Sequence, residues 1–112
     1  MNENLTRSDF RLLIVEDSED DALLLLRELK KGGYRPRWTR VDRPDTLNDA
    51  LAQPWDLAIT DHNLPGMDSL EVLHHIQSSQ DIPVIVVSGS IGEEVAVETM
   101  RRGASDYIMK DN

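Results

Sequence analysis

The sequence predicts a doubly wound α/β fold built on a five-stranded parallel sheet. Three observations predict it: apolar runs of strand length recur along the chain, helix-like segments separate them, and the joints between them are short. Near-continuous apolar strands joined by helices belong to sheets covered on both faces, and such sheets are parallel. Right-handed crossovers then give the doubly wound topology.

Taken in order, residues 1–9 are polar and read as a flexible leader, and residues 10–112 read as one domain. The first strand covers 10–15. Residues 18–31 form a helix in which Ala22, Leu25, Leu26 and Leu29 make one stripe, Leu23 and Leu24 widen it, and Gly32-Gly33 stops it. Residues 35–41 are a more polar, Trp-containing strand suited to a sheet edge, and Arg35, Arg37 and Arg40 make that edge basic and solvated. Pro44 opens a short helix over 44–53. A buried strand follows over 55–60. Residues 67–79 read as a helix with Leu70, Leu73 and Ile76 on one side, and 82–87 is the purest strand. The helix over 92–102 ends at Gly103, with Arg101 and Arg102 complementing the dipole in its last turn. Residues 105–109 are the last strand. A fifth helix is expected after it to cover the second face. On this expectation the sequence given is truncated before that helix, or another segment or chain covers the apolar face.

The 112 residues fit one domain, and 39% hydrophobic content is ordinary for a globular fold. A net charge of −9 argues against direct nucleic-acid binding, which needs a basic footprint. Cysteine is absent, so no disulfide frame and no thiol metal site exist. The longest apolar run, 22–26, is far short of a membrane span, and Met1-Asn2-Glu3-Asn4 lacks signal-peptide character. A cytoplasmic location is the expectation.

The chemistry lies where the strands end. One strand runs into Glu16-Asp17, one into Asp61, one into Ser88 and one into Lys110. Each has an ordinary explanation alone. Ser18 caps a helix whose first turn holds Glu19, Asp20 and Asp21. Asp61 and Ser88 suit turns, and Lys110 suits the surface. In a parallel sheet, however, all of these ends meet at one edge. Three clustered carboxylates repel one another unless a cation is present. Magnesium wants hard oxygen ligands and keeps several waters, so Asp17, Asp61 and one backbone carbonyl would serve it, with Glu16 on a metal-bound water. A carboxylate attacking phosphorus gives an acyl phosphate. Ser88 would bond a phosphate oxygen, Gly89 would let backbone come close, and Lys110 would be a mobile counter-charge. His74 and His75 point apart on one helix and read as structural or surface residues. His62 adjoins Asp61 at the site mouth.

These residues resemble the receiver domain of bacterial two-component response regulators. The resemblance runs from Phe10 to Lys110 and rests on four motifs: Ile14-Val15-Glu16-Asp17, the stretch from Asp61 to Asp68, Val86-Val87-Ser88-Gly89, and Gly103 to Lys110. It implies a flavodoxin-like strand order 2-1-3-4-5. It also implies that Asp61 accepts a phosphoryl group from a histidine kinase or phosphotransfer protein. Glu16, Asp17, Asp61 and the carbonyl of Asn63 would bind Mg2+. Ser88 and Lys110 would hold the phosphoryl group, and Ser88 and Tyr107 would form the switch. Asn63 and Ser90 occupy positions that tune acyl-phosphate hydrolysis. The resemblance leaves room for homodimerisation or an attached output domain, with no membrane partner. Asp111 stands where most members have proline, and Leu64 and Ser69 replace a common Met and Gly.

Such a chain catalyses only its own phosphorylation and dephosphorylation. A non-phosphorylated interaction module would have lost an acid, the Ser or the Lys, and none is lost. An aspartyl-phosphate phosphatase usually carries a second Asp two residues after its nucleophile, and Asn63 stands there.

Overall fold

The computed structural model of the chain describes residues 10–89 and 92–110, so the expected leader over 1–9, together with Ser90 and Asp111, lies outside the described residues. The elements are β1 (Arg11–Val15), α1 (Glu19–Lys31), β2 (Arg37–Val41), α2 (Pro44–Ala50) and β3 (Leu57–Asp61). A two-strand hairpin follows, β4 (Asn63–Leu64) and β5 (Met67–Asp68), and then α3 (Ser69–Ser79), β6 (Val84–Ser88), α4 (Glu93–Arg101) and β7 (Asp106–Met109). The large sheet runs β2-β1-β3-β6-β7, and every pairing in it is parallel. With the hairpin set aside, this is the expected 2-1-3-4-5 order.

The sheet's two faces carry separate cores. Leu13, Val15, Ala58, Val84 and Val86 pack with Leu47, Val72, Leu73 and Ile76 on the face that holds α2 and α3. Leu12, Ile14 and Ile59 pack with Ala22, Leu25, Leu26 and Leu29 of α1 on the other. Period-2 alternation sends neighbouring strand residues to opposite faces, and both are apolar because both are covered. On the α1 face Ile85 and Val87 are only half-buried, and Ile108 is 43% exposed.

Five boundaries differ from expectation by two residues or more, among them the starts of β3 at Leu57 and β6 at Val84. Met67 and Asp68 pair back onto Leu64 and Asn63 instead of starting the helix, because Gly66 takes φ +74° and closes the hairpin. Asp68 then caps α3, its Oδ1 accepting from Leu70 N–H at 3.1 Å. α2 stops at Ala50, and Gln80 seals the loop after it: its Oε1 accepts from Trp55 N–H at 2.8 Å and its amide donates to Gln53 O at 2.6 Å. β2 begins at Arg37 rather than Arg35, and it forms the sheet edge as expected.

Gly103 ends α4 at φ +100° while its N–H donates to Met100 O. A Cβ there would also come 2.7 Å from Gln77 Nε2. Gly103→Ala is therefore expected to cost about 1–2 kcal/mol, mostly from the left-handed backbone, since the Gln77 amide can swing away. Urea unfolding checks this, and an unchanged midpoint would show that the turn relaxes.

Candidate functional site

Register brings the site together. Asp61 pairs with Val87, Val15 with Thr60, and Ser88 with Met109, so the ends of β1, β3, β6 and β7 share one edge. Backbone bonds lock the next residues in place: Glu16 N–H to Val41 O at 3.0 Å, His62 N–H to Val87 O at 2.8 Å, and Lys110 N–H to Ser88 O at 2.8 Å. Strand propensity ends where these polar side chains begin, so the chain turns there and leaves them at the rim.

Asp61 is 4% exposed and Glu16 is 4% exposed, which is unusual for carboxylates. Glu16, Asp17 and Asp61 each present an oxygen, and these oxygens lie within 4.8 Å of one another. Asp17 is the exposed member. The donor set is all hard oxygen and suits a divalent cation of the magnesium or calcium type. Asn63 follows on β4, and its N–H donates to Asp61 Oδ1 at 3.3 Å.

Lys110 reaches into this cluster. Its Nζ lies 3.0 Å from Glu16 Oε1, 3.4 Å from Asp61 Oδ2 and 2.7 Å from Asp21 Oδ2. Burial pulls the ammonium's pKa down, but bonds to Asp21 and Glu16 and the charges of Asp61 and Glu16 outweigh it and lift it above its ordinary value. Burial pushes the Glu16 carboxyl above its ordinary value. The Lys110 bond and the Ser18 N–H pull it back, and the charge of Asp61 adds to the rise.

Ser88 is fully buried at the end of β6. Tyr107 is half-buried on β7 and borders a cleft of about 540 Å³ against α4, lined also by Ala96, Val97 and Met100. His62 follows Asp61 and lies between Ser69 and Tyr107. Its Nδ1 is 2.8 Å from Ser69 Oγ, and its ring meets Tyr107 edge-on at 6.2 Å. The sequence-predicted set of Glu16, Asp17, Asp61, Asn63, Ser88 and Lys110 thus converges on one rim, with Tyr107 beside His62.

Residues 12–112 match a family model described as the response regulator receiver domain. The chain belongs to this family. Among its relatives, the response regulator ArlR of Staphylococcus aureus is 35% identical over 100 residues, covering 89% of this chain and 45% of ArlR. The chain therefore spans about half the length of the curated relatives it matches. A Burkholderia pseudomallei response regulator, solved with a phosphorylated aspartic acid, a calcium ion and citrate, aligns with a TM-score of 0.77 at 25% identity, over 93% of this chain and 61% of the other. The phosphorylated cyanobacterial phytochrome response regulator RcpA aligns with a TM-score of 0.77 at 28% identity, over 90% of this chain and 80% of the other.

Two residues of this receiver domain do more than the sequence reading gave them. Arg40 is not a solvated edge residue: its Nη1 donates to Glu16 O at 3.0 Å and lies 3.6 Å from Asp42. It braces the turn that carries the acid pair. Asp21 reads in the sequence as a first-turn helix acid, yet its carboxylate holds Lys110 across 89 residues. The available signal was its place in the first turn after β1, where helical Cα–Cβ bonds tilt back toward the N-terminus. His75 behaves as a structural residue, bonding Asn48 of α2 from α3. Among the described residues no helix is long and apolar enough to cross a membrane.

Proposed function

We propose that this receiver accepts a phosphoryl group on Asp61 and switches conformation in response. The observation that carries the reading is the placement of Lys110 Nζ 3.4 Å from a buried Asp61 whose carboxylate lies within 4.8 Å of oxygens of Glu16 and Asp17. The donor is a sensor histidine kinase or histidine phosphotransfer protein in the cytoplasm. An Asp61 oxygen attacks phosphorus as the phosphorus–nitrogen bond of the donor breaks, giving an acyl phosphate and a free imidazole. Lys110 and the Ser88 hydroxyl then hold phosphoryl oxygens. Glu16, Asp17, Asp61 and the Asn63 carbonyl would hold Mg2+, which supplies charge neutralisation for the incoming phosphoryl group when bound. The chain turns over no external substrate. When Ser88 is drawn toward the phosphoryl group, Tyr107 repacks in the cleft beside α4, which is a local two-state element biased by new charge.

Intact-protein mass spectrometry after incubation with acetyl phosphate tests this directly. A gain of one phosphoryl group that requires Mg2+ supports the reading. No gain in folded protein would instead favour a receiver used as a non-phosphorylated interaction module.

Metal addition has its own expected signature. At tenfold excess over its Kd, Mg2+ should raise folding stability by about 1.4 kcal/mol, because it binds the folded cluster and not the unfolded chain. Thermal melts with Mg2+ and with EDTA check this, and Asp17→Asn should erase the difference. The effect should weaken as pH falls toward the raised Glu16 pKa, since protons then compete for a carboxylate at the site. A metal shift that is identical at pH 5 and pH 8 would speak against this cluster as the site.

A further inference from the structure

We propose that Asp21 is a positioning residue for Lys110: it holds the ammonium at the site mouth, so that Glu16 and Asp61 stay available to a divalent cation and to the phosphoryl group. This rests on Asp61 being the acceptor.

A lysine ammonium has three donors, and here three carboxylates surround it: Asp21 at 2.7 Å, Glu16 at 3.0 Å and Asp61 at 3.4 Å. Two of these belong to the acid cluster, and Asp21 does not. That division matters once the cluster is loaded. Lys110 would then face a divalent charge on the same carboxylates it now touches, and like charges at that range repel. Without an anion outside the cluster, its flexible stem would let the ammonium leave for water. Asp21 is such an anion, and its contact is the shortest of the three. Its bond is also the largest contribution lifting Lys110 above its ordinary pKa.

The backbone fixes Asp21 for this task. Ser18 caps α1, and its Oγ accepts from Asp21 N–H at 3.1 Å. The first turn is thereby anchored against the end of β1, and the Asp21 side chain is half-buried. Glu19 and Asp20 in the same turn are exposed. Replacing Asp21 by Asn keeps its N–H, and so keeps the cap.

The first arm of the test reads the lysine itself. In a 15N spectrum of the side-chain ammonium groups, the Lys110 signal should be protected from exchange in wild type with and without Mg2+. In Asp21→Asn the signal should be lost when Mg2+ is added, and Asp21→Glu should restore it. A protected Lys110 signal in Asp21→Asn with Mg2+ present would overturn the proposal. The second arm reads labelling by acetyl phosphate with Mg2+. Asp21→Asn should slow it about tenfold, the scale of losing a supporting partner outside a metal site. In a Lys110→Ala background the same change should have no further effect. Equal losses in both backgrounds would make Asp21 a general surface charge and overturn the proposal. Should wild type take no phosphoryl group, the acceptor reading falls, while the ammonium spectrum still decides whether Asp21 tethers Lys110.

Discussion

Asp61→Asn is expected to abolish labelling by acetyl phosphate while leaving the fold in place. An amide nitrogen and carbonyl replace two carboxylate oxygens of nearly the same shape, so the volume at this buried position is kept. The carbonyl can still accept the Asn63 N–H that now binds Oδ1 at 3.3 Å. What disappears is the anionic nucleophile. Losing a nucleophile cuts rate by at least about 10³-fold, which is no detectable label on the time scale of wild-type saturation. The folded state should not suffer, because removing one of two buried acids relieves the repulsion that adds to the burial-driven rise of Glu16. Mass spectrometry and a melting curve on the same sample check both halves. Undiminished label on the variant would move the acceptor to another residue.

Lys110→Ala should separate metal binding from switching. Alanine keeps the backbone bond from residue 110 to Ser88 O, so the β6–β7 ladder persists. Metal binding should remain, because Glu16, Asp17 and Asp61 are untouched. The phosphoryl group, however, loses a fixed cation, and removing one preorganised donor of this kind costs about 10²-fold in rate. Once labelled, the variant should show no change in NMR signals around Ser88 and Tyr107. A wild-type-sized response there would remove Lys110 from the switch. The alkaline limb of stability adds a second reading. Lys110 titrates above its ordinary value of 10.5 in the fold. A group raised this way stabilises fully below its unfolded pKa, and that contribution fades as pH rises through the folded value. Wild type should therefore lose melting temperature in strongly alkaline buffer through a component that Lys110→Ala lacks.

The alternation of 12–15, 57–60 and 84–87 with amphipathic helices carried the sheet and its parallel pairing, while the strand order came from the family resemblance. Those runs are apolar at every position but Thr60 because helices pack on both faces, and that signature survives in one dimension. Short-range choices were harder to see. The pairing of Met67 and Asp68 back onto Leu64 and Asn63 depends on the φ of Gly66, and the sequence reading ran the helix through them. Likewise Gln80, which seals the loop before β3 with three bonds from a single side chain, looks in sequence like an ordinary surface residue.

The site divides in the same way. By itself the sequence determined which groups stand at the strand ends: Glu16, Asp17, Asp61, Ser88 and Lys110. Strand ends are set locally by the change from apolar to polar, and parallel pairing then forces them to one edge. Only the tertiary structure decided how their charges are shared. It placed Arg40 on the Glu16 carbonyl, His62 between Ser69 and Tyr107, and Asp21 on the Lys110 ammonium. Such contacts join side chains whose directions depend on helix phase and strand twist, and no spacing along the chain encodes those. Electrostatic pairing falls off over a few ångströms, so it is settled where the elements meet and not in the order of residues.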